Sequence, residues 1–214
     1  GSFGTYFWDT LRLTKLISGH ELKAHFSNYH KLHSHIVKSL EADEIATSSS
    51  EWRGSGFYAC GIDYFDLVNL TDQSEKILEK LLSHQQPDGC WTGAKNKEGH
   101  PLVSPVWHTS QAVITLTRKD PTKYKDAIDK GIKWIVEKQE SDGSWPALRQ
   151  FEIYFTSYAI LALSYFNHDT EIAKAVNYLK SKIDNTGKCS DLGGTLMCAI
   201  AFWELSKGKI NQSM

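Results

Sequence analysis

From Tyr124 onward, Ala127, Ile128, Ile132, Ile135 and Val136 recur at helical spacing, with Lys and Asp filling most of the gaps. One buried stripe and one wet face result, which predicts an amphipathic helix on the outside of a larger body. The segments HTSQAVITL (108–116) and FTSYAILAL (155–163) follow a different pattern. Small and apolar residues occupy all sides of these two, so they predict helices buried on every face. They align residue by residue, pairing Thr109 with Thr156, Ser110 with Ser157 and Ala112 with Ala159. A Thr or Ser at the head of each is expected to act as an N-cap.

The alternation repeats along the chain. LLSHQQPDGCW (81–91) matches IVEKQESDGSW (135–145), pairing Gln85 with Gln139, Gly89 with Gly143 and Trp91 with Trp145. A worn third copy follows: EIAKAVNYLKSKI (171–183) is amphipathic, Gly187 takes the glycine place, and TLMCAIAFW (195–203) matches the buried helix. There Ile183 replaces the glutamine, Cys189 the tryptophan, and Cys198 the alanine. Upstream, an amphipathic stretch from about 21 to 40 precedes SGFYACGIDYF (55–65). The repeats run over about 72–118, 121–166 and 169–207, after N-terminal helices within 5–70. That makes four helical hairpins, or five if YFWDTLRLTKLI (6–17) is also helical, in a single domain over 1–214. Wet and buried helices in alternation hide their apolar stripes by stacking side by side, the buried ones inside. Gly89 and Gly143 then leave the outer helix in a left-handed turn, and Trp91 and Trp145 plug the space between hairpins. The amides of Gln85 and Gln139 are expected to hold loose backbone groups where one helix stops and the next starts.

The run K-G-x-x-W-I-V-x-x-Q-x-x-x-G-x-W in 130–145 resembles the QW repeat of squalene and terpenoid cyclases, shared in looser form with prenyltransferase β subunits. The resemblance covers 123–166 most specifically, 74–118 well and 171–205 weakly. It implies an all-α fold, an α/α toroid. The repeat stiffens the scaffold, so function has to be argued from the site.

In such a toroid the heads of the inner helices border the central cavity. The candidates there are Trp107, His108 and Thr109, then Glu152, Tyr154, Phe155 and Tyr158, then Asp191. Cyclases that protonate a double bond carry DxDD at such a head, because an alkene needs a strong acid. This chain has WHTS there and no DxDD. DYFD at 63–66 reads as a helix-end carboxylate pair. Prenyltransferases suggest another comparison, a zinc set of Asp, Cys and His; His108 resembles its histidine, but the CSD at 189–191 reverses the expected order. No cofactor is therefore expected, zinc included. His30 and His33 fall on one helix face, read as solvated, with His35 turned away, and His84 reads as a surface residue. His100 lies in a loop, 92–107, longer than its counterpart after Trp145; the added residues read equally as a lid or contact surface and as neutral padding.

Composition narrows the partners. Lys+Arg number 24 against 25 Asp+Glu, so the chain has no basic footprint for nucleic acid. No apolar run approaches the roughly 18 residues of a membrane span. The four cysteines are scattered, with no CxxC pair, and read as reduced thiols of a cytoplasmic protein. The N-terminal stretch has no signal-peptide pattern. Two functions fit: an apolar, isoprenoid-like ligand bound in an aromatic cavity, with His108 and Asp191 as catalytic candidates, or a non-catalytic module that binds a protein partner.

Overall fold

The computed structural model describes residues 29–41, 54–93, 95, 97–99, 103–147, 151–189 and 192–211. The expected helix at 6–17, His100 and Asp191 lie outside them. Among the described residues there are eight helices, and Gly54 and Gly93 form an isolated antiparallel β-bridge. The fold class is all-α. The chain divides into two units, residues 1–85 with 92–103, and residues 86–91 with 104–214.

The first unit contains α1 (Tyr29–Glu41), α2 (Ser55–Leu67) and α3 (Thr71–Ser83). Helix α2 is buried from Ser55 to Phe65 on nearly every side, whereas α3 buries one stripe, Ser74, Ile77, Leu78 and Leu81. The chain turns between them through Asn69, in the left-handed region at φ 60°. The amide of Leu70 donates to the Phe65 carbonyl at 2.9 Å and that of Asn69 to Asp66 at 3.2 Å, a doubly bonded cap that satisfies the carbonyls at the end of α2. Asp66 also accepts from the Ser74 hydroxyl at 2.6 Å, tying α2 to α3. The solvated-face expectation fails for His33, whose Nδ1 lies 2.7 Å from the Tyr64 hydroxyl because α1 packs its His33 side on α2. His30 and His35 are exposed, and exposed His84 meets the Tyr58 ring edge-on at 5.3 Å.

The second unit contains α4 (Pro105–Lys119), α5 (Lys125–Glu137), α6 (Glu152–Leu163), α7 (Asp169–Lys182) and α8 (Leu192–Asn211). Helix α6 packs between α4 and α8, while α5 lies on α4 and α7 on α6. Within this unit the layers follow the hydrophobic pattern. Every residue of α4 from Val106 to Leu116 is buried, but α5 buries only Ile128, Gly131, Ile132, Trp134 and Ile135.

The loops that join the layers share one geometry. Gln86 donates its amide to Cys90, Glu140 to Ser144 and Asp184 to Lys188, at 2.8, 2.9 and 2.8 Å. Inside each, a glycine at φ 95°, 93° or 84° (Gly89, Gly143, Gly187) makes the left-handed step. The glycines of the first two copies do a second job. A Cβ on Gly89 would run into the Lys130 carbonyl of α5, and one on Gly143 into the Lys174 carbonyl of α7, so each loop lies against the next outer helix. Gly187 has open space around it among the described residues. Gln139 Nε2 donates to the Gly143 carbonyl at 3.1 Å and to that of Glu171, in the first turn of α7, at 2.8 Å.

Two further expectations need correction. Thr109 and Thr156 are not N-caps, because the helices start earlier: Ser104 caps α4 by accepting from Val106 at 3.3 Å, and α6 begins at Glu152 without a side-chain cap. The threonine hydroxyls reach across to the loops. Thr109 Oγ1 accepts from the Trp91 amide at 3.0 Å, Thr156 Oγ1 from Trp145 at 3.3 Å, and Thr195 Oγ1 from Cys189 at 3.2 Å. Helix α8 is also less buried than its composition predicts, leaving Leu196 55% and Trp203 58% exposed. The positions of α4 and α6 that match Leu196, Ser110 and Ser157, are fully buried, because α6 covers α4 and α8 covers α6.

Candidate functional site

The head of α4 is set by Ser104 and Pro105. Proline fits the first helical position because it lacks the amide hydrogen that would go unbonded there. The Ser104 hydroxyl also donates to the Pro146 carbonyl at 2.7 Å, which anchors this head to the loop that leads into α6. One turn in, Trp107 and His108 meet edge-on with ring centroids 4.7 Å apart. Both are at most 1% exposed, as is Thr109. The Ser110 hydroxyl beside them is buried without a hydrogen-bond partner.

Burial decides the charge state of His108. Taking an imidazolium out of water is costly, and the loss of hydration lowers its pKa from 6.5 to about 3. His108 is therefore a neutral base at neutral pH. It is not an acid strong enough to protonate an alkene, and the adjoining residues of the head, Trp107, Thr109 and Ser110, supply no carboxylate.

The head of α6 is aromatic. Tyr154 meets Tyr158 at a tilt with centroids 5.0 Å apart and Phe155 edge-on at 5.8 Å, and Phe155 in turn meets Phe151 at 6.0 Å. Phe155 and Tyr158 are buried, whereas Tyr154 and Phe151 are half-buried. Glu152 is exposed and accepts from the Tyr178 hydroxyl of α7 at 2.9 Å. Burial first, and then this carboxylate, raise the Tyr178 pKa, so the phenol stays protonated and keeps donating.

The structure brings Trp107, His108 and Thr109 together on α4, and Tyr154, Phe155 and Tyr158 together on α6. Asp191 is not among the described residues. Trp91 and Trp145 are fully buried, and Trp145 Nε1 donates to the Ile135 carbonyl at 2.6 Å. Sequence reasoning missed Asp88, whose carboxylate accepts from the Trp134 indole of α5 at 3.2 Å and from the Cys90 amide, also at 3.2 Å. It also missed the threonine-to-loop bonds. Their signal was present: the threonine keeps its register to the inner-helix alanine, or to Cys198 in the third copy, while its distance from the loop residue varies from 18 to 11 to 6 positions. Among the described residues, no group of three or more His, Cys, Asp and Glu side chains is placed to hold a metal ion, and no helix is long and apolar enough to cross a membrane.

Residues 60–148 match the squalene-hopene cyclase C-terminal domain. Curated relatives include an ent-copalyl diphosphate synthase of Streptomyces sp. (strain KO-3988), 31% identical over 72 residues, and a copalyl diphosphate synthase of Streptomyces anulatus, 27% identical over 73. Each match takes in 34% of this chain, and it spans only 13% and 12% of those relatives. The type II terpene cyclase MstE from Scytonema superposes on 92% of this chain with a TM-score of 0.60 and 14% identity, and the chain covers 63% of it. A variant of that enzyme bound to its substrate, geranylgeranyl dihydroxybenzoate, gives 0.59 at 13% identity over 92% of this chain and 62% of the variant. The ent-copalyl diphosphate synthase from Streptomyces platensis gives 0.55 at 18%, over 72% of this chain and 34% of its own. The fold is thus an α/α toroid, and the chain carries a terpenoid-cyclase-like domain.

Proposed function

We propose that this domain binds an apolar, isoprenoid-like chain against the aromatic head of α6, without proton-initiated cyclisation by the residues described. The observation that carries the reading is the ladder of Phe151, Tyr154, Phe155 and Tyr158, with Phe151 and Tyr154 half-buried, on a terpenoid-cyclase-like scaffold. Aromatic faces offer large apolar area at low entropic cost, and they attract any cationic centre on the ligand. Trp107 and Thr109 complete the packing at the head of α4. The neutral imidazole of His108 suits a proton acceptor better than a donor. A cytoplasmic setting accords with four cysteines, none of them in a disulfide among the described residues.

The test is titration of the purified chain with geranylgeraniol by calorimetry, beside the Tyr154→Ala and Tyr158→Ala variants. Binding weakened about tenfold in each, equivalent to roughly 1.4 kcal/mol, is the expected result. Equal affinity in all three proteins would remove the aromatic ladder from the site. A protein-binding scaffold is the second reading, favoured by the complete burial of α4 from Val106 to Leu116, which leaves little open surface on that helix. It predicts no heat with geranylgeraniol and no isoprenoid in a solvent extract of the purified protein.

A further inference from the structure

The third hairpin differs from the first two by a paired substitution. In the first two copies a tryptophan in the loop, Trp91 or Trp145, is matched by an alanine in the inner helix, Ala112 or Ala159, three residues beyond the threonine that bonds the loop. In the third copy both members change to cysteine, Cys189 in the loop and Cys198 in α8. The threonine bond persists: Thr195 Oγ1 accepts from the Cys189 amide at 3.2 Å and pins that residue over α8. Thr195 and Cys198 are one helical turn apart on one face, so the pinned loop sets Cys189 beside the face of α8 that carries Cys198. Cys189 is also the neighbouring group that acts on the Cys198 thiol. Cys198 is 2% exposed and Cys189 half-buried, so one sulfur is open to solvent reagents and the other is sheltered behind it. Burial, with the neighbouring sulfur adding to it, pushes the Cys198 thiol up to about 12, so it remains a thiol until a partner arrives.

We propose that Cys189 and Cys198 form a reversible disulfide when the protein meets a peroxide, Cys189 reacting first and Cys198 resolving. The Cys189 sulfur attacks hydrogen peroxide, the O–O bond breaks, one water leaves and the sulfur becomes a sulfenic acid. The Cys198 sulfur then attacks that sulfur, gives up its proton, and the hydroxyl departs as a second water. Two thiols lose two electrons and two protons, and one hydrogen peroxide becomes two waters. The bond staples the third loop to its inner helix at the place where an indole plugs the other two, and a dithiol reverses it by exchange. Cys60 and Cys90 lie outside this arrangement, Cys60 on α2 and Cys90 buried in the first loop.

The experiment uses the whole reduced chain, treated with hydrogen peroxide, quenched with an alkylating agent and mapped by mass spectrometry. The expected product is one cross-linked pair of peptides holding Cys189 and Cys198, two hydrogens lighter than the separate peptides, with Cys60 and Cys90 alkylated. Dithiothreitol restores the thiols. The cross-link vanishes in Cys189→Ser and in Cys198→Ala, the latter installing the residue found in the other copies. The oxidised protein melts higher by on the order of 5 °C, as closure of a short loop implies. The proposal is overturned if Cys189 goes on to sulfinic acid without a cross-link, if the bond forms through Cys60 or Cys90, or if oxidation leaves the melting point of the wild type unchanged.

Discussion

Gln139 divides one amide nitrogen between two carbonyls, that of Gly143 in its own loop and that of Glu171 in the next outer helix. Removing a donor from two acceptors in a half-buried loop costs about 1–2 kcal/mol. Gln139→Ala is therefore expected to lower the melting temperature by roughly 3–6 °C for a chain of this size. Gln139→Glu should cost more, since a carboxylate presents oxygen to both carbonyls. If thermal melts show Gln139→Glu as stable as the wild type, the two bonds contribute nothing. Thr156→Val makes a parallel case, because it keeps the buried shape and removes the acceptor from the Trp145 amide, at a cost of about 1–3 kcal/mol. The residue types at the junctions could be read from the sequence, but their partners could not. Which carbonyl Gln139 meets depends on the helix that comes alongside, and no pattern within the loop encodes that.

At the scale of the element, the helices were legible because their periodicity is strong. The apolar stripe from Tyr124 to Val136 became α5, with Tyr124 just outside it, and the all-round apolar segments became α4 and α6. Helix starts were less legible: Thr109 looked like a cap because it heads the alignable stretch, whereas Ser104 and Pro105 carry the start signal. Nor could composition reveal that one side of α8 stays open, since burial depends on what stands next to it. The glycines give this a quantitative form. Alanine at Gly143 meets both a left-handed backbone and the Lys174 carbonyl, so α7 has to move away. Alanine at Gly187 meets only the backbone term of about 1–2 kcal/mol. Thermal melts should therefore place Gly143→Ala well below Gly187→Ala, and equal losses would show that the loop does not press on α7. Gly131 behaves differently, being inside α5 with ordinary helical φ. Its added methyl would gain up to about 1 kcal/mol of helix propensity but lie 2.7 Å from Val113 Cγ2 and 2.9 Å from the Trp91 ring. Overpacking of about 1–3 kcal/mol should win, leaving Gly131→Ala destabilised.

For the molecule as a whole, acidity couples to stability through two kinds of group. His108 is held neutral by burial, with its folded pKa near 3 and its unfolded value near 6.5. Between those values the unfolded chain binds a proton that the folded chain refuses, so stability falls as pH drops from about 6.5 towards 3, by at most roughly 1.4 kcal/mol per pH unit. The loop carboxylates act lower down. The Ser144 amide and hydroxyl hold Asp142 below the usual carboxylate range, and the Thr186 hydroxyl with the Lys188 and Thr186 amides does the same for Asp184. At Asp88 burial pushes upward, yet bonds from Cys90 and Trp134 outweigh it. Each of these adds stability above the ordinary carboxylate pKa of about 4 that is lost as pH falls through the depressed one. Two windows follow, a gradual decline from about pH 6.5 owed to His108 and a steeper one below about pH 4 owed to the carboxylates as well. Melting temperatures of the wild type and of His108→Leu, measured from pH 7 to pH 3.5, separate them. The variant is expected to melt at nearly constant temperature down to about pH 4.5 and then to fall with the wild type. A wild-type curve as flat as that of His108→Leu above pH 4.5 would mean that the imidazole takes up its proton without unfolding, and that the head of α4 admits water.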